Sequence, residues 1–292
     1  MSELTVIIPA YNEADSLPVF LPEVNQFCEA HGYDLIVVND GSKDGTASVL
    51  SDMEGKGSLR VVTHKVNRGY GGAIKSGIRA ATTRFVITID ADGQHDLQDV
   101  LALHREMGET GADMIVGSRT AHPESSFYRG VGKKLIRWFA RLLLPIHIED
   151  INSGIKIYDR ERASRYIRLC PNHMAFSDII TMVFISKRCL VLERPVNVKR
   201  RIAGTSTINT LTAIETVREI LNIVVLFNPM RVFLPISLLA ILLAIAWGLP
   251  IILRGNGVSV GALLSFVTGI LFFALGLLAE QLAQIRRSSV DD

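Results

Sequence analysis

Short apolar runs alternate with amphipathic stretches over roughly the first two thirds of the chain. The apolar runs are rich in Val, Ile and Leu, as buried β-strands are. They lie at 4–11, 34–40, 59–64, 85–92 and 113–119. Apolar residues at helical spacing fill the intervals, at 14–31, 44–53, 71–81 and 97–110. This order of strand, helix and strand predicts an α/β domain with a mostly parallel, Rossmann-like sheet covered by helices on both faces.

Two long apolar stretches occupy the last part of the chain. Residues 232–253 and 258–279 contain no charged side chain, and each is long enough to cross a hydrocarbon core of about 30 Å as a helix. Only residues 254–257 separate them, which predicts a transmembrane hairpin with a tight turn. Basic residues precede the first stretch and follow the second (Arg231, Arg286 and Arg287), with the single Arg254 in the turn. The positive-inside rule therefore predicts that both termini are cytoplasmic.

These patterns divide the chain into three predicted parts. Residues 1–209 form the α/β domain, 210–231 a juxtamembrane helix, and 232–292 the hairpin with a short tail. The stretch 210–227 has one apolar face, which is typical of a helix that lies along a membrane interface.

Charge and cysteine content narrow the class of protein. The net charge of +2 gives no whole-protein preference for nucleic acid. Three widely spaced cysteines fit neither a disulfide framework nor a metal site, so we expect reduced thiols. The N-terminus lacks the pattern of a signal peptide, and we expect the α/β domain to stay in the cytoplasm, at the inner membrane.

Polar side chains follow each of the five predicted strands. In a parallel sheet these carboxyl ends meet at one edge, where ligands bind. The clusters are Tyr11-Asn12-Glu13, Asn39-Asp40-Gly41-Ser42, Asn67-Arg68-Gly69, Asp90-Ala91-Asp92 and Gly117-Ser118-Arg119. Five polar strand ends predict a single site.

The site lacks the glycine patterns that bind phosphates through the backbone. No G-x-G-x-x-G follows the first strand, and no P-loop sequence is present. Asp90 and Asp92 instead suggest a divalent cation that neutralises a diphosphate. Carboxylate and carbonyl oxygens suit Mg²⁺ or Mn²⁺, which take few protein ligands at such sites.

Five separated motifs resemble those of family 2 glycosyltransferases of GT-A fold, and most of all the polyprenyl-phosphate glycosyltransferases. This group includes dolichol-phosphate mannosyltransferase and GtrB-like enzymes. The motifs are "VIIPAYNE", "VVNDGSKDGT", "NRGYGGAIKSGI", "DADGQHD" and "GSR". The resemblance covers roughly residues 4–210, and the hairpin followed by "LLAEQLAQIRR" is similar to the GtrB-like branch. Asn39 departs from the pattern, because many relatives carry a second Asp there.

The resemblance implies a donor site, a metal site and a residue near the reacting centre. The donor nucleotide would be bound by Pro9, Ala10, Tyr11, Glu13, Asp40, Asn67 and Gly69, with Asp40 on the base. Asp90, Asp92 and Gln94 would hold the metal, and Asp90 and Asp92 count among the catalytic residues with Asp150, which begins a D-x-x-S-G element. His95 is interpreted as a structural loop histidine without a partner, and Asp178 is left out of the catalytic set.

Two basic stretches, 128–145 and 194–207, predict an acidic lipid as the acceptor. Basic residues mixed with Trp and Leu are typical of a helix at a membrane interface. The predicted ligands of the acceptor phosphate are Arg119, Arg129, Lys133, Arg137, Arg200, Arg201 and Ser206.

The resemblance implies a membrane-bound enzyme that moves a hexose from a UDP-sugar or GDP-mannose to undecaprenyl or dolichyl phosphate, with inversion. Two alternatives remain open: a family 2 enzyme acting on a hydroxyl acceptor, and a membrane-anchored binder of nucleotide sugars without catalysis. A processive synthase usually carries a Q-x-x-R-W motif, which this sequence lacks. A homo-oligomer is compatible with the sequence.

Overall fold

The computed structural model describes residues 2–119, 148–197, 225, 228–255 and 257–288. The chain folds as two units: residues 1–125 with 146–207, and residues 126–145 with 208–292. The predicted boundary at residue 209 and almost all of the predicted interfacial helix lie outside the described residues.

A sheet of seven strands forms the centre of the described part of the first unit. Its strands are β1 (Leu4–Ala10), β2 (Asp34–Asn39), β3 (Leu59–Thr63), β4 (Phe85–Thr88), β5 (Met114–Ser118), β6 (Lys156–Asp159) and β7 (Val191–Pro195). They lie in the order β3-β2-β1-β4-β6-β5-β7. All pairs are parallel except those of β6, which runs antiparallel to β4 and β5. The prediction of a mostly parallel sheet is confirmed, and β6 and β7 are additions that the hydrophobic pattern missed.

Helices connect the strands and cover the sheet. They are α1 (Leu17–His31), α2 (Thr46–Met53), α3 (Tyr70–Ala80), α4 (Leu97–Thr110), α5 (Arg160–Tyr166) and α6 (Phe176–Ser186). Each of the four helices expected from periodicity is present within a few residues of its predicted bounds. The apolar faces of the sheet and helices form a continuous core.

Strand β4 is shorter than its apolar run predicts. It ends at Thr88, although Ile89 still donates its N–H to the carbonyl of Ile7 at 3.1 Å. The backbone then turns, and Gly93 adopts a φ of +71° that most side chains disfavour. This turn brings the predicted metal ligands out of the sheet at its carboxyl edge.

Two long helices, α7 (Met230–Leu253) and α8 (Val260–Ser288), form the hairpin of the second unit. Both are long and apolar enough to cross a membrane, with mean hydropathies of 2.6 and 2.4 over 18 residues of each helix. Small residues on α8 recur every seventh position on the face buried against α7: Ala262, Gly269 and Gly276. Ser237 donates its hydroxyl hydrogen to the carbonyl of Gly269 at 2.8 Å. Close contact between small residues is how helices associate in lipid, so the predicted hairpin is confirmed.

Close contact between α3 and β1 depends on Gly77. A Cβ at this position would lie 2.4 Å from Cγ2 of Ile7, a fully buried residue. Gly108, in α4, is also helical but has no atom within 4 Å of its would-be Cβ.

We expect Gly77→Ala to lower the free energy of unfolding by about 1 kcal/mol or more, because overpacking a core typically costs about 1–3 kcal/mol and outweighs the gain in helix propensity. Gly108→Ala is the matched control and should raise stability by about 0.5–1 kcal/mol. Urea denaturation in mild detergent measures both. Equal effects of the two substitutions would contradict this account of α3 packing.

Candidate active site

A cleft of about 420 Å³ opens where β1, β2 and β3 end. Tyr11 and Val66 expose large side chains there, 42% and 66% accessible respectively. The lining residues are Tyr11, Asn39, Gly41, Ser42, Lys43, Ala47, Thr63, His64, Lys65, Val66 and Asn67. Two predicted donor-site residues, Tyr11 and Asn67, therefore lie in the cleft wall. An exposed ring beside polar groups can stack on a planar ligand.

The loops after β1 and β2 are joined by reciprocal hydrogen bonds. Asn12 donates its N–H to the hydroxyl of Ser42 at 3.0 Å, and Lys43 donates its N–H to Oδ1 of Asn12 at 2.9 Å. Glu13 donates its N–H to Thr46, and its carboxylate accepts from Ser16 at 2.5 Å. The Glu13 side chain is thus partly committed to the start of α1, as a carboxylate near a helix N-terminus often is.

Pro9 and Ala10 lie at the end of β1, beside this loop. Ala10 is 1% exposed, and its contact with a ligand stays a prediction. Its carbonyl accepts the N–H of Asp40 at 2.8 Å.

Asp40 is buried and bonded to the protein on both carboxylate oxygens. Oδ1 accepts from the N–H of Arg68 at 2.9 Å, and Oδ2 accepts from the N–H of Gly69 at 2.8 Å. The ring of His64 is 2.6 Å from Oδ1. The carboxylate therefore shapes the loop that borders the cleft, and it is Asn39 that lines the cleft itself. Contact between Asp40 and a base stays a prediction.

His64 links this carboxylate to α3. Its Nδ1 faces Asp40, and its Nε2 lies 2.8 Å from the hydroxyl of Ser76. A neutral ring that donates from Nδ1 and accepts at Nε2 satisfies both neighbours. Sequence reasoning missed His64, although its place directly after β3 was an available signal.

Asp90 lies at the end of β4 with two polar neighbours. Tyr70 donates its hydroxyl hydrogen to Oδ1 at 3.2 Å, and Nε2 of His95 lies 3.3 Å from Oδ2. Burial would raise the pKa of Asp90, but the bonds from His95 and Tyr70 and the charge of Arg119 outweigh it and hold that pKa below its usual value. Asp90 is therefore ionised at neutral pH.

His95 has a partner, which the sequence interpretation did not foresee. It is 5% exposed and its Nδ1 is a buried atom without a hydrogen bond in the described part of the chain. Its contact with Asp90 fixes the loop that carries the D-x-D pair. The backbone of Gly154 also lies close to Asp90, because a Cβ at position 154 would be only 2.2 Å from Oδ2 of that aspartate.

Asp92 and Gln94 complete the oxygen-rich turn after β4. Asp92 is 8% exposed, and its Oδ1 accepts the N–H of Gln94 at 3.1 Å. Within the described ranges, no three His, Cys, Asp or Glu side chains converge around one point as a complete metal site. The carboxylates of Asp90 and Asp92 and the side-chain oxygen of Gln94 nevertheless fit Mg²⁺ or Mn²⁺, which complete their shell with substrate phosphates and water.

Arg119 and Asp150 form a bidentate ion pair on the other side of the site. Nε of Arg119 lies 2.8 Å from Oδ2 and its guanidinium NH2 lies 2.9 Å from Oδ1. Burial would raise the pKa of Asp150, but hydrogen bonds and charge from Arg119 lower it overall. The predicted acceptor ligand and the predicted catalytic carboxylate therefore neutralise each other in this structure.

Charged side chains hold the backbone on either side of Asp150. The carboxylate of Glu193 accepts the N–H of Glu149 at 2.8 Å and that of Asp150 at 2.9 Å. Lys156, which is fully buried, donates to the carbonyl of Ile151 at 2.6 Å. Sequence reasoning missed both residues, although a lysine within the apolar run after D-x-x-S-G was a visible anomaly.

Comparison with known proteins places this site in a family. Residues 5–167 match the sequence profile described as Glycosyl transferase family 2. The chain belongs to glycosyl transferase family 2. Residues 228–285 match a second profile, the GtrB C-terminal hairpin.

Two curated relatives of this family 2 glycosyltransferase cover different shares of the chain. It is 28% identical to an undecaprenyl-phosphate 4-deoxy-4-formamido-L-arabinose transferase of Pectobacterium atrosepticum, over 98% of this chain and 89% of the relative. It is 30% identical to a dolichyl-phosphate beta-glucosyltransferase of Dictyostelium discoideum, over 56% of this chain and 55% of that protein.

A solved structure shares the fold. The glucosyl-3-phosphoglycerate synthase of Mycobacterium tuberculosis, crystallised with Mn²⁺, UDP and phosphoglyceric acid, superposes with a TM-score of 0.58. The match covers 76% of this chain and 78% of that chain at 18% identity. The predicted GT-A fold of this family 2 glycosyltransferase is thereby confirmed.

Most of the predicted acceptor ligands of this family 2 glycosyltransferase lie outside the described residues. They are Arg129, Lys133, Arg137, Arg200, Arg201 and Ser206. Their roles stay predictions, and Arg119 is the member of that set whose position the structure gives.

We expect Asp40→Asn to lower the free energy of unfolding by about 1–3 kcal/mol, because the new amide NH₂ group would face a backbone N–H that loses its acceptor. Asp52→Asn, on the exposed surface of α2, is the matched control and should change stability by less than about 0.5 kcal/mol. Urea denaturation reports both values. Similar losses in the two variants would show that Asp40 does not hold the loop.

Proposed function

We propose that this family 2 glycosyltransferase transfers a sugar from a nucleoside diphosphate sugar, either a UDP-sugar or GDP-mannose, to a polyprenyl phosphate such as undecaprenyl or dolichyl phosphate. The observation that carries the proposal is the match to an undecaprenyl-phosphate sugar transferase over 98% of this chain. That match extends through both the α/β domain and the hairpin, which supports a membrane-embedded lipid as the acceptor.

The cleft at β1 to β3 is the proposed site of the donor nucleotide. Tyr11 offers a ring for stacking, and the amide of Asn39 lies in the wall with its Oδ1 accepting from Ser42 at 3.1 Å. The amide NH₂ group of Asn39 can then donate to a carbonyl of uracil or guanine. Asp40 and Gly69 shape this cleft through the backbone.

The diphosphate of the donor belongs at the turn after β4. Asp90, Asp92 and Gln94 would hold the cation there. When bound, a Mg²⁺ or Mn²⁺ ion would neutralise the charge that develops on the leaving nucleoside diphosphate. His95 and Tyr70 hold Asp90 in place for this role.

The acceptor phosphate belongs beside Arg119. One phosphate oxygen attacks the anomeric carbon, the bond from that carbon to the diphosphate breaks, and its electron pair leaves with the nucleoside diphosphate. A phosphate monoester is mostly dianionic near neutral pH, so this step requires no general base. Asp150 then serves to orient the guanidinium of Arg119, and a single displacement inverts the anomeric centre.

The hairpin would keep this site at the headgroup level of the membrane. Two apolar helices would span the bilayer. The basic residues that precede the first helix and lie at the end of the second favour cytoplasmic termini. The site would then meet soluble nucleotide sugars and the lipid phosphate on the cytoplasmic side of the inner membrane.

We expect purified full-length protein with Mn²⁺ or Mg²⁺ to transfer label from at least one nucleotide sugar into the organic-solvent phase when undecaprenyl phosphate is supplied. The physical reason is that an anionic phosphate both binds the basic site and acts as the nucleophile. A panel of radiolabelled UDP-sugars and GDP-mannose measures this directly.

Undecaprenol, which lacks the phosphate, is the matched acceptor control and should take up no label. Both EDTA and Asp92→Asn should abolish transfer, because the diphosphate leaving group would be left uncompensated. Transfer to undecaprenol at an equal rate, or no transfer from any donor of the panel, would contradict the proposed function.

A further inference from the structure

The residues 149–154, here named the Asp150 turn, connect the two halves of the site. Asp150 pairs with Arg119 at one end, and Gly154 lies against the carboxylate of Asp90 at the other. The turn has no regular secondary structure, so its conformation depends on side chains that bond to its backbone. Two such side chains carry opposite charges, Glu193 and Lys156.

Lys156 bonds to the Asp150 turn and to α6 at the same time. Its Nζ donates to the carbonyl of Ile151 at 2.6 Å, to the carbonyl of Ser177 at 2.5 Å, and to the hydroxyl oxygen of Ser177 at 2.7 Å. The hydroxyl of Ser177 in turn donates to the carbonyl of Ser153 at 2.8 Å. These four hydrogen bonds form one connected network, which fixes the turn against the first residues of α6.

Burying an ammonium group costs free energy because the charge loses its hydration. Lys156 is 0% exposed, and an apolar side chain of similar length would avoid the desolvation of the charge. The ammonium is tolerated because all three of its hydrogens meet oxygen acceptors. An apolar residue would leave the carbonyl of Ile151 without this donor, and of the bonds above, the turn would keep the one from Ser177 to Ser153.

We propose that Lys156 is a positioning residue for the acceptor: its ammonium group joins the Asp150 turn to α6 and thereby sets where the Arg119–Asp150 pair stands. This inference rests on the proposed function, because that function places Arg119 at the acceptor phosphate. Lys156 acts through the turn and touches neither substrate.

The charges around Lys156 make this connection depend on pH. Burial lowers the pKa of Lys156 to about 7, while the carboxylates of Asp178 and Asp150 work against that fall. Arg119 lowers the pKa further and Cys170 raises it. Above this pKa the amine has two hydrogens for three acceptors, so the turn is held less firmly as pH rises.

The first test is Lys156→Met in the full-length protein, which keeps the side-chain length and removes the charge. We expect the KM for polyprenyl phosphate to rise by about tenfold or more, because small displacements of a binding group have large effects. Affinity for the donor nucleotide, measured by calorimetry, should stay within about twofold, since the cleft at β1 to β3 is untouched. Hydrogen exchange of the backbone at 151–154 should become faster.

A control and a milder variant separate positioning from general destabilisation. Ile157→Val removes one buried methylene next to Lys156 without touching the network, and it should leave the acceptor KM unchanged. Ser177→Ala removes one acceptor of the ammonium and the bond to Ser153, and it should raise the acceptor KM even if Lys156→Met fails to fold.

The pH dependence of the acceptor KM distinguishes a positioning role of Lys156 from a purely structural one. The acceptor KM is measured at each pH for the wild type and for Ser177→Ala. We expect the ratio of the two values to change with pH near the pKa of Lys156. A ratio that is constant with pH, together with an unchanged acceptor KM in Ser177→Ala and Lys156→Met, would overturn the positioning role. A wild type that transfers no sugar to polyprenyl phosphate would instead overturn the proposed function, and with it the assignment of this turn to the acceptor.

Discussion

The hydrogen bonds that Asp40 accepts from the backbone of Arg68 and Gly69 join the end of β2 to the start of α3. The positive φ of Gly69 and the tight approach of the loop at Asn172 both depend on this junction, since a Cβ at Gly69 would lie 2.5 Å from the carbonyl oxygen of Asn172. His64 contacts the same carboxylate and lines the cleft at β1 to β3. The loop that borders the proposed donor cleft is therefore held by one buried carboxylate whose two oxygens accept backbone N–H groups.

Other carboxylates at the carboxyl edge of the sheet are also held by hydrogen bonds from the protein. Asp90 is held by Tyr70 and His95, and Asp150 is held by Arg119. Asp40, Asp90 and Asp150 each accept a hydrogen bond from another segment of the chain, and these bonds connect the loops to one another. The proposed cation would then serve to neutralise the donor diphosphate.

The sequence predicts the parts of this structure that arise from local periodicity and misses those that arise from long-range contacts. The five apolar strands and the hairpin are visible because burial imposes their patterns. Strand β6 is only four residues long and begins with a lysine, so its pattern resembles neither a buried strand nor a surface strand. The partners of His64, Glu193 and Lys156 include residues 24, 43 and 21 positions away in the chain, respectively, and periodicity contains no information about such pairs. Motif resemblance singled out Asp40 and Asp150, whose functional roles stay predictions, but it could not reveal which protein groups they bond to.

The donor nucleotide and the acceptor phosphate are proposed to bind at separate places along the carboxyl edge of the sheet. Arg119→Ala tests this separation most directly. The matched control is Arg162→Ala, since Arg162 also pairs with an aspartate and its side chain is 48% exposed against 45% for Arg119. Nucleotide affinity by calorimetry and the KM for polyprenyl phosphate are measured for both variants. The account predicts an acceptor KM raised by about tenfold or more in Arg119→Ala alone, as expected for the loss of charge-assisted hydrogen bonds to phosphate, with nucleotide affinity unchanged. Loss of nucleotide affinity with an unaltered acceptor KM would contradict the account.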